Sequence, residues 1–222
     1  MDALAERLAR VSGEIGDAAR AAGRDPEALT TIVVTKFHPA SLIRELYELG
    51  VRDFGESRHQ DAEPKVRELA GLDATWHFIG QLQSKKARAV RSYMDVIHSV
   101  DRDSLVDALA APDPRDVFIQ LNLTDDPARG GVHESDLLPL AARVATTDGL
   151  LLRGLMAVAP LEVEPRRAFA QVREASERLI VNHPDAVNLS MGMSGDFAAA
   201  ILEGATHLRI GTAITGNRPE HG

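Results

Sequence analysis

The stretch TTIVVTKFHP, Thr30 to Pro39, is an apolar, β-branched run that ends in a single amine, Lys36. Far along the chain, SMGMSGDFAAAILEG offers Ser190, Gly192, Ser194 and Gly195, and RIGTAITG offers Gly211 and Thr212. A lysine at a strand end ordinarily lifts its ammonium into water, and Gly and Ser at a strand-to-helix turn ordinarily serve turn geometry and capping. Brought together, the same residue types support something more specific. Free N–H groups where a helix begins attract an anion, Gly211 lets backbone approach it closely, and Thr212 adds a hydroxyl donor. An amine beside such a nest is equipped for Schiff-base chemistry on a ligand that carries a phosphate.

Whether the two ends of the chain meet depends on the elements that carry them. Eight short apolar runs read as strands: TTIVVTK, VRDFGES, TWHFIGQ, DVIHSV, DVFIQLNL, LLLRGLMAVAP, AVNLSMG and HLRIGTAI. Helix patterns begin near Ser41, His59, Ser84, Arg102, Ser135, Pro165 and Asp196, often opened by Ser, Asp or Pro. Such strand–helix alternation predicts a parallel sheet covered by helices, and eight units predict a closed (β/α)8 TIM barrel. An open doubly wound sheet is the alternative, against which no G-x-G-x-x-G follows the first strand. Leu4, Leu8, Val11 and Ile15 recur at helical spacing, so an extra amino-terminal helix is expected to cover the gap left after the eighth strand. No linker, repeat or low-complexity segment marks a boundary, so residues 1–222 are expected to form one domain, without a carboxyl-terminal β domain. LTDDPARGGVHES, rich in Pro, Asp and Gly, reads as a mobile surface excursion after strand five.

In a closed barrel strand eight lies beside strand one, so Lys36 and the phosphate nest would share one mouth. That pairing suggests pyridoxal phosphate. Schiff-base formation needs a neutral amine, and a lysine crowded into an apolar mouth gives up its proton more readily. Arg209 shares its strand face with Gly211. It would lie beside the pyridine nitrogen, keeping it unprotonated because a guanidinium accepts no proton, or else form an ion pair across the barrel.

Composition narrows the field. The chain has 222 residues, 44% of them hydrophobic, and a formal charge of -8 from 33 acidic and 25 basic residues, a field that repels nucleic acid. It has no cysteine, which excludes thiolate chemistry and fits a reducing, cytoplasmic setting. Arg153 interrupts even the longest apolar run, so no membrane partner is expected. The histidines, His77, His98 and His207 among them, lack two-ligand helical spacing and read as hydrogen-bonding residues rather than metal ligands.

VVTKFHP, FGESRHQD, WHFIGQLQSKKARAV, GLMAVAP and LSMGMSGDFAAAILEGATHLRIGTAITG, in that order and over essentially the whole chain, resemble successive blocks of the pyridoxal phosphate homeostasis protein family. The resemblance implies a fold type III barrel similar to the amino-terminal domain of alanine racemase, with pyridoxal phosphate on Lys36. It implies phosphate contacts at Ser190, Ser194, Gly211 and Thr212, and Arg209 toward the pyridine nitrogen. It also implies non-catalytic work in vitamin B6 homeostasis, with apoenzymes as partners for the carried cofactor, and a monomer. Two positions depart from the pattern: Ser57 and Lys85 stand where the family usually or often has Asn. Ser57 still has a hydroxyl to offer near the ring. Lys85, Lys86 and Arg88 read as a solvated basic face, or else as a looser anion site.

A racemase-like enzyme is the alternative, though the racemases use a second base, a tyrosine from a β domain; here Tyr47 and Tyr93 lie in helix-patterned segments. A Schiff-base aldolase for phosphorylated sugars is a third reading. It would need carboxylates near the amine, and Asp53 and Glu56 are explained as readily by a solvated strand end.

Overall fold

A computed structural model describes residues 3–124 and 126–217. Each apolar run of the sequence becomes a strand: β1 (Thr30–Val34), β2 (Asp53–Glu56), β3 (Thr75–Phe78), β4 (Val96–Val100), β5 (Arg115–Gln120), β6 (Leu150–Met156), β7 (Asn188–Ser190) and β8 (His207–Ile210). All pair in parallel and in sequence order, and β8 returns to β1 to close the barrel. The closing register sets Ile32 opposite Arg209 and Val33 opposite Ile210.

Between the strands run α2 (Ala40–Glu48), α3 (His59–Glu68), α4 (Ser84–Arg91), α5 (Asp103–Leu109), α6 (Leu137–Ala145), α7 (Pro165–Asn182) and α8 (Phe197–Leu202). α7 shows why the starts were readable: Pro165 opens the helix, and the Glu164 carboxylate accepts the amides of Arg166 and Arg167 at 3.1 and 2.8 Å. After β8 there is a single helical turn, α9 (Thr212–Thr215), and the amino-terminal α1 (Ala3–Ala21) packs where a full eighth helix would lie. Leu4, Val11, Ile15 and Ala19 bury its apolar stripe, while Arg7 donates to the Ile214 carbonyl at 2.7 Å and Arg24 to the Ile201 carbonyl at 2.9 Å. Among the described residues no helix is long and apolar enough to cross a membrane.

The loop after β5 is tied to its surroundings. Val132 donates to the Gln120 carbonyl and Asn122 to the Val132 carbonyl, Gln81 reaches the Ala128 carbonyl, and the Gly131 amide reaches Asp101. Asp125 of this loop, like residues 1–2 and 218–222, lies outside the described residues.

The apolar core occupies the ring between barrel and helices, where Val33, Phe54, Trp76, Phe78, Ile97, Val117, Leu155, Leu189 and Leu208 turn outward. The barrel interior is different. Its own apolar cluster is small, Val96, Phe118 and Met156, where barrels of this class ordinarily stack branched apolar side chains in layers. Much of the remaining space holds polar side chains: Asp53, His77, His98, Ser190, His207 and Arg209.

Candidate functional site

Strand alternation decides which way Lys36 faces. A Cβ on Gly55 would meet Ile32 and Val34 side chains inside the barrel, so Ile32, Val34 and then Lys36 take the inward face, while Val33 and Thr35 point out toward the helices. Directly after Lys36 the chain makes a tight turn. Phe37 takes φ +69°, a left-handed conformation that bulky residues seldom adopt, and the His38 amide closes the turn on the Thr35 carbonyl at 3.1 Å. Such a conformation persists only where its surroundings hold it.

Those surroundings are a buried polar clamp just outside β1. Glu56, fully buried at the end of β2, accepts from the Thr35 hydroxyl and from Lys65 of α3, both at 2.7 Å, and Lys65 also donates to the Thr35 carbonyl at 3.0 Å. Thr35 is thereby held by side chain and carbonyl alike, one residue before the candidate nucleophile. Burial pushes the Glu56 carboxyl above its usual range, with Lys65 and Thr35 pulling it back. The other Glu56 oxygen, Oε2, is buried without a partner, so removal of Lys65 leaves an acid with little to stabilise its charge. Lys65→Ala is expected to cost ~3–5 kcal/mol in urea unfolding, and replacing the pair by Met and Leu together to recover most of that loss. The solvated strand end read from RDFGES is therefore corrected for Glu56: Phe54 and Glu56 share the outward face of β2, and that face is covered by α3.

Lys36 itself is exposed, not crowded among apolar side chains as the sequence suggested, because the mouth is open above it. Its neighbour across the seam is the end of β8. A Cβ added to Gly211 would lie 3.7 Å from Val34 Cβ and 4.0 Å from the Val34 carbonyl oxygen, so Gly211 and Thr212 stand at the same mouth as Lys36. In the single turn of α9 the Ile214 and Thr215 amides donate to the Gly211 carbonyl at 2.9 and 3.0 Å, and the amides of Thr212 and Ala213, at its start, have no acceptor within the helix. Ser194 is half-buried in the turn between β7 and α8. That turn depends on Gly192, at φ +94°, where a side chain would collide with Ala200 Cβ at 2.7 Å; its carbonyl accepts the Arg209 amide at 2.9 Å and ties the turn to β8. Ser57 follows β2 half-buried, with its carbonyl 2.2 Å from where a Cβ on Gly80 would sit, so β2 and β3 converge there. Lys86 lines the small cleft beside Ser57, while Lys85 and Arg88 are exposed.

Ser190 lies deeper than the rest. It is fully buried, and its hydroxyl sits between His98 Nδ1 at 2.9 Å and an Arg209 Nη at 2.8 Å. Arg209, also buried, donates to the Ser190 and Ala157 carbonyls at 2.6 and 2.8 Å. These are neutral acceptors rather than the cross-barrel ion pair that was the alternative reading of this residue. Burial lowers its pKa to about 10, opposed by the charge of Asp196. The guanidinium is pinned by fixed groups at the mouth ends of β6 and β7, a suitable edge for a planar ring.

Below Arg209, His98 stacks on Phe118 with ring centroids 4.5 Å apart, and its Nε2 meets His77 Nδ1 at 3.0 Å. His77 Nε2 in turn meets Asp53 at 3.0 Å. Burial pushes His98 well below the ordinary imidazole value, helped by His77, Arg209 and His207, and lowers His207 to about 4, where His77 and Arg209 add to burial and Asp53 opposes it. Among the described residues no three His, Asp or Glu side chains are grouped as a metal site. The sequence reading of the histidines as hydrogen-bonding residues did not link them to Ser190. The available signal was the inward register that His77, His98 and His207 share on separate strands. Tyr93 is half-buried, donating to or accepting from His59 Nδ1 at 2.8 Å, and Tyr47 is half-buried under Arg52.

The chain's likeness to known proteins follows the same geometry. The family profile of the alanine racemase N-terminal domain matches residues 22–219. The Pseudomonas aeruginosa protein named pyridoxal phosphate homeostasis protein is 41% identical over 223 residues, covering 98% of this chain and 97% of its own. Its Escherichia coli K12 namesake is 41% identical over 229 residues, 98% of each. PipY of Synechococcus elongatus, solved with pyridoxal phosphate bound, superposes with a TM-score of 0.84 at 37% identity, over 96% of this chain and 100% of its own. Alanine racemase of Corynebacterium glutamicum shares the fold, with a TM-score of 0.73 at 16% identity, over 97% of this chain and 62% of the racemase.

Proposed function

Because the chain belongs to the pyridoxal phosphate homeostasis protein family, a fold type III barrel related to the alanine racemase N-terminal domain, we propose that it holds pyridoxal 5'-phosphate covalently on Lys36. In this reading it works in the cytoplasm as a non-catalytic carrier or buffer of the cofactor, releasing it to apoenzymes, and does so as a monomer. The observation that carries the reading is the β1–β8 closure, with Lys36 inward at the end of one strand and Gly211 and Thr212 at the end of its neighbour.

The residues present suit the group. Ser194 and the amides around Gly211 and Thr212 would take the phosphate, where the missing Cβ of Gly211 leaves room for a close approach. Arg209, held by three neutral oxygens, would face the pyridine nitrogen and, having no acceptor, keep it from being protonated. Ser190 would serve chiefly from behind, through Arg209, and Ser57 would offer a hydroxyl beside the ring. Bound pyridoxal phosphate supplies an aldehyde and an aromatic electron sink. Lys36 would hold the group through its amine at the aldehyde carbon, and Arg209, by weakening the sink, would favour holding over turnover.

Borohydride tests the assignment directly. Hydride delivered to the C=N carbon leaves a stable secondary amine, and peptide mapping should find the pyridoxyl group on Lys36; labelling of another lysine overturns the site. Incubation with single-enantiomer amino acids in D2O should give neither racemisation nor deuterium at Cα. Turnover in that assay would favour the racemase-like alternative.

A further inference from the structure

The barrel interior holds a continuous polar path that neither the phosphate nest nor the amine uses. It begins at Asp53, partly exposed where β2 opens, and passes through His77 of β3, His98 of β4 and Ser190 of β7 to Arg209 of β8. Its successive distances are 3.0, 3.0, 2.9 and 2.8 Å. We propose that Asp53, His77, His98 and Ser190 form one directed hydrogen-bond chain whose task is to position the Arg209 guanidinium.

The direction follows from the two ends. Arg209 has only donors, and an ionised Asp53 has only acceptors. With one proton on each imidazole, every interior group must then accept once and donate once. Arg209 donates to Ser190 Oγ, and the Ser190 O–H donates to His98 Nδ1. His98 Nε2–H donates to His77 Nδ1, and His77 Nε2–H donates to Asp53. Both histidines are therefore Nε2–H tautomers. His98, by accepting a hydrogen bond from the Ser190 O–H at Nδ1, leaves the serine lone pairs to face Arg209 and makes the hydroxyl an obligate acceptor toward it. An apolar interior would fill the barrel equally well but leave that hydroxyl free to rotate, and with it one of the three anchors of Arg209.

The other groups facing this path are His207, edge-on to Phe118 and held by Thr206 at 2.8 Å, and Asp196, whose charge reaches Arg209. Neither interrupts the chain. The consequence for the cofactor ring rests on the function proposed above, whereas the chain and its effect on Arg209 do not.

The test uses the full-length protein free of cofactor. 1H–15N NMR should find His77 and His98 both protonated at Nε2 and not at Nδ1; a proton on His98 Nδ1 overturns the proposal. The Arg209 side-chain N–H signals should exchange slowly in the wild type and at least about tenfold faster in His98→Phe, which keeps the stacking on Phe118 but loses both nitrogens. His98→Asn, with an amide oxygen in place of Nδ1, should restore part of the protection. Unchanged Arg209 exchange in a folded His98→Phe, or equal exchange in the Phe and Asn variants, overturns the positioning role whether or not the cofactor binds. If the wild type takes pyridoxal phosphate on Lys36, its affinity should fall about tenfold in His98→Phe and less in His98→Asn.

Discussion

Lys36→Ala should abolish covalent retention of pyridoxal phosphate: gel-filtered protein is colourless and borohydride leaves no pyridoxyl peptide. On the proposed assignment, this one change would remove the bond and little else. Lys36 is exposed at the mouth, its position is set by the clamp at Thr35, and no contact of the apolar core depends on its side chain. The variant should therefore fold like the wild type, with unfolding free energy within about 0.5 kcal/mol, as for surface substitutions generally. On that assignment the proposed phosphate contacts and Arg209 would remain, without a covalent bond, so apparent affinity should fall by ~100-fold or more, equivalent to about 2.7 kcal/mol. Lys36→Arg sharpens the test, since it keeps the charge but cannot form the C=N bond. If either variant still carries a reducible linkage at wild-type stoichiometry, the nucleophile lies elsewhere.

Acid should unfold the cofactor-free protein early. His98 and His207 are held well below the ordinary imidazole value of 6.5, the latter at about 4, chiefly because burial penalises their charged forms. The unfolded chain therefore binds more protons than the folded one once pH drops below about 6.5, and stability is lost as pH falls through that window. With its folded value at about 4, His207 alone withdraws about 2 kcal/mol between pH 7 and pH 4.5, and His98 adds a loss of the same sign. His38, lowered by burial and by Lys65, works in the same direction. Glu56, raised by burial, works in the opposite sense, because its folded form binds a proton more readily. Urea unfolding at stepped pH should show the decline, and His207→Phe should make it less steep by removing the His207 contribution. A flat profile between pH 6.5 and 4.5 would refute the account.

Both expectations rest on a division of labour inside the barrel. Structures of this class ordinarily fill their interior with branched apolar residues, and this one instead places the apolar core outside the sheet and a polar path within it. The stability given up at low pH is the counterpart of an arginine held in place by neutral groups. Carboxylates would hold it more strongly, but they would also add charge beside the site.

Local rules were sufficient for the architecture. Periodicity and helix-start residues gave eight strands, the helices between them and the role of α1, because these depend on near neighbours in the chain. Lys36, Ser194, Gly211 and Thr212 could be picked out because an amine, small residues and a hydroxyl at strand ends are visible one segment at a time. The tertiary structure alone decided what those segments could not carry. Glu56 and Lys65 pair because α3 folds back over β2, turning an apparent solvated end into a buried clamp. Ser190 looked like its neighbour Ser194, yet closure of the barrel turns it inward against His98, 92 positions away in sequence. Burial, partner and protonation state depend on what other strands place opposite a residue, and strand spacing does not reveal which side chains will meet across the barrel's axis.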